Sequence, residues 1–178
     1  MTRSSLAALL VVPLFVVVLG PTAARAADDM PAAPGQRPDA QLKGLTSLGV
    51  VVEDLGAQAA ACGLKQDAIE AAVSKRLSGA GLRIRINSDE DTYVYVNVIT
   101  ASVSAGLCVS RYDAFLYTHT TARLSYQEAP VLVEVSLLHK GGITGGLPAV
   151  HAEAVLRGVL EYVDQFSTRI HDANTSKE

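Results

Sequence analysis

The stretch CGLKQDAIEAAVSKRLSGAGLRIRI, residues 62–86, carries a cysteine, a helix, a glycine stop and a strand in direct succession. Leu64, Ala68, Ile69, Ala72, Val73 and Leu77 recur three and four residues apart, the spacing of a helix that packs by one face. No Ser or Thr caps its start, but Asp67 and Glu70 suit the positive end of the helix dipole. Ser78-Gly79-Ala80-Gly81 supplies the glycine that ends a helix. Leu82-Arg83-Ile84-Arg85-Ile86 then alternates strictly, which predicts a strand with one face in water.

Outward from this stretch, the apolar cluster Leu48 to Val52 reads as a strand buried on both faces, and Ala57 to Ala61 as one short helical turn. After a polar turn at residues 87–91, Thr92 to about Val103 alternates as a further strand. Leu107 opens an extended segment to about Tyr126, long enough to need a bend or bulge, expected near Thr118 to Thr121. Val131 to His139 forms the last strand. Gly141, Gly142, Gly145 and Gly146 read as a mobile connection. Pro148 opens a helix to about Ile170, striped by Val155, Val159, Val163, Phe166 and Ile170, with His151, Arg157, Glu161, Asp164 and Arg169 on its wet side.

The order β-α-β-β-β-β-α predicts a two-layer α+β domain: a mostly antiparallel five-stranded sheet with two helices on one face. Strand one should lie parallel to strand two across a right-handed crossover, followed by a four-strand antiparallel meander.

The chain's start has the layout of a secretory signal: Arg3, an apolar block from Leu6 to Leu19 interrupted by Pro13, then Ala24-Arg25-Ala26. The block is short for a spanning helix, so no transmembrane anchor is expected after cleavage. The expected organisation is a signal peptide over 1–26, a flexible Pro/Ala-rich leader over 27–41, one domain over 42–173 and a disordered tail over 174–178. Cleavage would leave 152 of 178 residues, with 13 basic against 18 acidic, since the signal takes Arg3 and Arg25 and no acid. A periplasmic or secreted acidic domain without a basic run excludes nucleic acid as the expected partner.

Two cysteines in an exported chain point first to a disulfide, Cys62 to Cys108. Closing a loop of about 46 residues contributes ~4 kcal/mol in the chain-entropy model. The alternative is a pair of free thiols, with Cys62 activated at a helix N-terminus for cysteine–histidine chemistry. Bridging to the helix start would turn Cys108 toward the helices, and alternation then assigns its neighbours. Tyr112, Ala114 and Leu116 would face inward, together with Leu82, Ile84, Ile86, Val94, Val96 and Val98. The opposite face would receive Arg83, Arg85, Tyr93, Tyr95, Asn97, Arg111, Asp113, Phe115, Tyr117 and His119.

Two readings fit that second face. It is either a solvated sheet surface of cross-strand pairs, with arginines over tyrosines, or a platform for a protein partner or a second copy. Arg83, Arg85, Tyr93, Tyr95, Arg111 and Tyr117 would be the anchors of such a platform. A small-ligand carrier with a site between sheet and helices is a further possibility.

His119, His139, His151 and His171 lack metal-site spacing, so neither a metal nor a cofactor is expected and no catalytic residue stands out. Asn87-x-Asp89-x-Asp91 imitates half a calcium loop, but Thr92 and Val98 replace its glycine and closing glutamate. The glycines at 141–146 lack the Lys-Ser/Thr ending of a phosphate loop.

Ala59-Ala60-Ala61-Cys62-Gly63-Leu64, a helix, a glycine stop and the later lone Cys108 resemble a group of small, uncharacterised exported bacterial proteins. That resemblance covers most of the chain after residue 26 and implies no activity. The element order is also similar to periplasmic accessory proteins of outer-membrane assembly, although no lipid-attachment cysteine is present here. Fold alone assigns no function.

Overall fold

The computed structural model describes residues 38–85, 91–103 and 106–176. The proposed signal, most of the leader, the first four residues of the acidic turn and the last two residues lie outside them.

Five strands, β1 (Ser47–Val52), β2 (Arg83–Arg85), β3 (Thr92–Val103), β4 (Leu107–Ala122) and β5 (Val131–Gly146), form one sheet. The α-helices among the described residues are α1 (Ala57–Ala61), α2 (Gln66–Gly79) and α3 (Pro148–Thr175). The architecture is therefore α+β with a mixed sheet, and α1 is the short turn expected before Cys62.

The strand order β2-β1-β3-β4-β5 corrects the expected four-strand meander. β1 is parallel to β2, as expected, but it is also parallel to β3, which pairs along its other edge. Only β3, β4 and β5 form an antiparallel run. The composition of β1 explains its place: a nearly unbroken apolar run belongs inside a sheet. The three residues of β2 form a short edge beside it.

α2 and α3 cover one face of the sheet. Ile69, Val73 and Leu77 of α2 and Val155, Val159, Val163, Phe166 and Ile170 of α3 are buried in one cluster with Leu48, Val94, Val96, Ala114 and Leu116. Fully burying each large side chain contributes about 2 kcal/mol, which outweighs the missing cap on α2. Ala68, placed on the inward stripe by its spacing, is exposed, and Leu64, Ile69, Val73 and Leu77 do the packing.

β5 runs seven residues past His139, so the glycines read as a mobile connection are strand. The reason is lack of room rather than need for freedom. A Cβ on Gly141 would lie 2.3 Å from Asp113 Oδ1, and one on Gly142 would lie 2.6 Å from Tyr162 Oη and 2.9 Å from Tyr112 Oη. Gly158 of α3 makes the same concession, at 2.3 Å from Tyr112 Oη.

The irregularity expected in β4 near Thr118 falls earlier, and on the partner strand. Leu116 pairs with Leu138 but Tyr117 pairs with Ser136, leaving Leu137 as the extra residue of β5. β4 keeps unbroken register with β3 from Leu107 to Thr118.

Regular structure starts upstream of residue 42. Ala40–Leu42 forms a 3-10 turn with Leu42 fully buried, and Asp39 pairs with Arg169 of α3. α3 also continues beyond Ile170. Asn174 Oδ1 accepts from the Gly44 amide at 2.7 Å, and Asn174 Nδ2 donates to the Leu45 carbonyl at 3.1 Å, joining its last turn to the start of β1.

Candidate interaction face

Cys62 and Cys108 are joined, with Cα atoms 6.0 Å apart. Both cysteines are consumed by the bridge, so neither offers the free thiol that cysteine–histidine chemistry requires. The bridge ties the residue that follows α1 to β4, and Cys108 is turned to the helical side and buried. Ser110, Tyr112, Ala114 and Leu116 follow it inward and are buried. The odd-numbered residues of β3 and β4 consequently line the opposite face, which no described helix covers.

Cross-strand pairing arranges that face in rows. Arg83 lies beside Ser47 at one side of the sheet and His119 beside Glu134 at the other; the His119 amide donates to the carbonyl of Asp91, the residue before β3, at 2.7 Å. The next row is Arg85, Gly49, Tyr93, Tyr117 and Ser136. Val51, Tyr95, Phe115 and His139 form the third. Asn97, Asp113 and Gly141 follow, then Ile99, Arg111 and Ile143.

The rings form a connected layer. Phe115 and Tyr117 stack with centroids 4.9 Å apart, and His139 stacks on Phe115 at 4.2 Å. Tyr93 contacts Tyr117 at 5.9 Å and His119 at 5.7 Å, while Tyr95 contacts Phe115 at 6.3 Å and Tyr117 at 6.0 Å. Such pairs contribute about 0.5–1.5 kcal/mol each beyond area burial.

Carboxylates border the rings. Tyr93 donates to Glu134 Oε2 at 2.5 Å, and His119 Nε2 lies 3.3 Å from the same oxygen. Tyr95 donates to Glu53. Burial and then the Glu134 bond push the Tyr93 phenol up to about 12, and the Glu53 bond followed by burial does the same for Tyr95. Asp113 is buried within this face, held by Arg111 Nε at 2.9 Å and His139 Nε2 at 3.2 Å. That hydrogen bond to Asp113 raises the Arg111 pKa and keeps its guanidinium on the carboxylate. This departs from the expectation of an arginine lying over a tyrosine.

All six anchors named from sequence lie on this side of the sheet, but the structure separates them into groups. Tyr93, Tyr95 and Tyr117 are in ring contact, Arg83 and Arg85 stand exposed on the β2 edge, and Arg111 sits toward the opposite end with Asp113. Glu53, Glu134, His139 and Ile143 also belong to the face and had not been assigned to it. Glu134, His139 and Ile143 lie on β5, whose parity is unreadable because Leu137 breaks the alternation and glycine hides the rest, and Glu53 lies one residue past β1. Val51 on β1, missed for want of alternation, is 45% exposed there.

On the helical side, His151 is fully buried, which corrects its assignment to the wet side of α3. Its Nε2 lies 2.7 Å from Ser110 Oγ, which in turn lies 2.7 Å from Thr100 Oγ1. His151 Nδ1 has no hydrogen-bond partner among the described residues, and burial lowers its pKa. Ser110 and His151 have the types of a nucleophile and a base, but both are closed to solvent, so the pair holds α3 to β4. No group of three metal-ligating side chains occurs among the described residues, and no described helix is long and apolar enough to cross a membrane. One groove of 580 Å³, lined in part by Lys75, Arg76, Leu160 and Asp164, lies between α2 and α3 rather than between sheet and helices.

No family model matches the chain, and no curated protein does either. Among solved structures it is similar to a dodecamer of PelC from Paraburkholderia phytofirmans, at 13% identity and a TM-score of 0.37, over 66% of this chain and 84% of that one. A likeness at that level carries no argument about this protein's role.

Proposed function

We propose that the protein is an exported, non-catalytic binding domain that docks a protein partner on its open sheet face. The observation that carries this reading is the connected ring layer of Tyr93, Tyr95, Phe115, Tyr117, His119 and His139 on a side no described helix covers. Aromatic side chains are among those that most often anchor protein interfaces, and here they lie in one connected layer. Ile99 and Ile143, 63% and 73% exposed, extend the same face with apolar area. The disulfide accords with an oxidising compartment, which fits the expected periplasmic or secreted location.

A photo-crosslinking amino acid placed at Phe115 in cells that make the protein tests the reading. Adducts are expected from position 115 and not from the exposed helix position Lys75. Equal or absent labelling from the two positions would refute a platform on this face.

A further inference from the structure

We propose that the occupant of this face is a second copy of the chain, packed sheet to sheet about a two-fold axis parallel to the strands and centred on β3. This rests on the platform reading and adds the partner's identity. Charge is distributed unevenly across the rows. Arg83 and Arg85 stand exposed on β2, one edge of the sheet, and Glu134 stands on β5, the other edge; carrying the Gly49–Tyr93 register back two residues, to Ser47 and Asp91, puts Glu134 at the level of Arg83. A two-fold along the middle strand exchanges the edges while preserving the level along the strands. It sets Arg83 and Arg85 of each copy against Glu134 of the other, twice, as an isologous interface requires.

The same operation places Val51 of β1 over Phe115 of the partner copy, and brings Tyr93, Tyr95 and Ile99 of β3 against their own counterparts along the axis. Aligned sheets pack in this way with interdigitating side chains. Roughly eight residues each of β3, β4 and β5, six of β1 and three of β2, at about 4.8 by 3.3 Å each, cover about 500 Å² per copy. The total of about 1,000 Å² stands at the threshold of a specific interface. Two members are unfavourable: Asp91 meets its own copy at the axis, and Glu53, one residue past β1, comes over the row of Asp113, whose charge Arg111 already holds.

Light scattering on the protein purified in the form its own cells accumulate, at micromolar concentration, should give twice the chain mass. The double variant Arg83→Glu/Arg85→Glu and the single variant Glu134→Arg should each weaken self-association about a hundredfold or more, because like charges then oppose across the interface. Mixing the two should restore a heterodimer, and Arg83→Glu/Arg85→Glu/Glu134→Arg in one chain should restore the homodimer. Neither rescue can arise from a misfolded variant. Asp91→Asn should tighten the dimer. A monomeric wild type, a dimer indifferent to the charge variants, or loss without rescue on mixing overturns the second-copy inference. The platform reading then stands or falls separately by the Phe115 crosslink, whose adduct would have a mass other than that of the dimer.

Discussion

The two faces of the sheet are made from alternate residues of the same strands, yet they are built by different rules. Toward the helices β3 presents Val94, Val96 and Val98, small branched side chains that fill the space under α2 and α3. Away from them it presents Tyr93, Tyr95 and Asn97, and β4 adds Phe115, Tyr117 and Asp113. One face meets a surface supplied by its own chain. The other has rings and ion pairs already placed beside one another, with no described helix to meet them. The contrast teaches that burial beneath the helices rests mainly on aliphatic packing, with Phe166 and Tyr112 as its aromatic members, while the connected layer of rings lies on the other side.

The widest separation between the faces should appear in stability. Phe166→Ala, in the core, is expected to cost about 3–5 kcal/mol in urea unfolding, whereas Phe115→Ala, which is half-buried and loses its ring contacts to Tyr95, Tyr117 and His139, should cost about 2 kcal/mol. Equal losses would show that the open face is itself a core. Replacing both cysteines by serine should cost ~4 kcal/mol, through the unfolded chain that the bridge constrains. If that variant keeps its stability, the bridge is not what pins α1 and α2 to β4.

A smaller effect probes the helical side. Ser110→Ala leaves His151 Nε2 without a partner and should cost about 1–3 kcal/mol. His151 also gives this side its pH response. Its folded pKa is depressed by burial, so below the ordinary value of 6.5 the unfolded chain takes up a proton that the folded chain refuses. That contribution is complete above pH 6.5 and declines as the pH falls toward the folded value. His151→Leu should flatten the decline, measured as the midpoint of unfolding against pH.

The open face responds at the other end of the scale. Tyr93 and Tyr95 keep their protons to about 12 when folded, against 10.0 in the unfolded chain, so their contribution holds below 10.0 and fades as the pH rises toward 12. Ultraviolet titration of the phenols should show late-ionising tyrosines, and Glu53→Gln should bring Tyr95 down while leaving Tyr93 late. A single shared midpoint for all six tyrosines would contradict the two carboxylate bonds.

Much of this was readable from the sequence, and for identifiable reasons. Regular three-and-four spacing located α2 and α3, and the alternation of residues 92–98 and 108–116 from one buried cysteine assigned both sides of β3 and β4. The same logic lost its footing where residues carry no side-chain signal. Gly141 and Gly142 look like a loop because their function is to admit Asp113, Tyr112 and Tyr162, which are distant in sequence. The position of β3 beside β1 is a matter of which edge a strand joins, and alternation is blind to edges. By spacing His151 reads as a polar residue on a wet side, whereas its ring is bonded to Ser110, far away in the chain.

The central claim is that the ring layer is covered in the working protein. Oxidative footprinting read by mass spectrometry, on intact cells and on dilute purified protein, tests it directly. Phe115, Tyr95 and Tyr117 are expected to be labelled in dilute solution and protected in cells, while Tyr126, 79% exposed outside the strands, is labelled in both. Equal labelling of the ring layer in the two conditions would contradict the account and leave the face as a solvated surface.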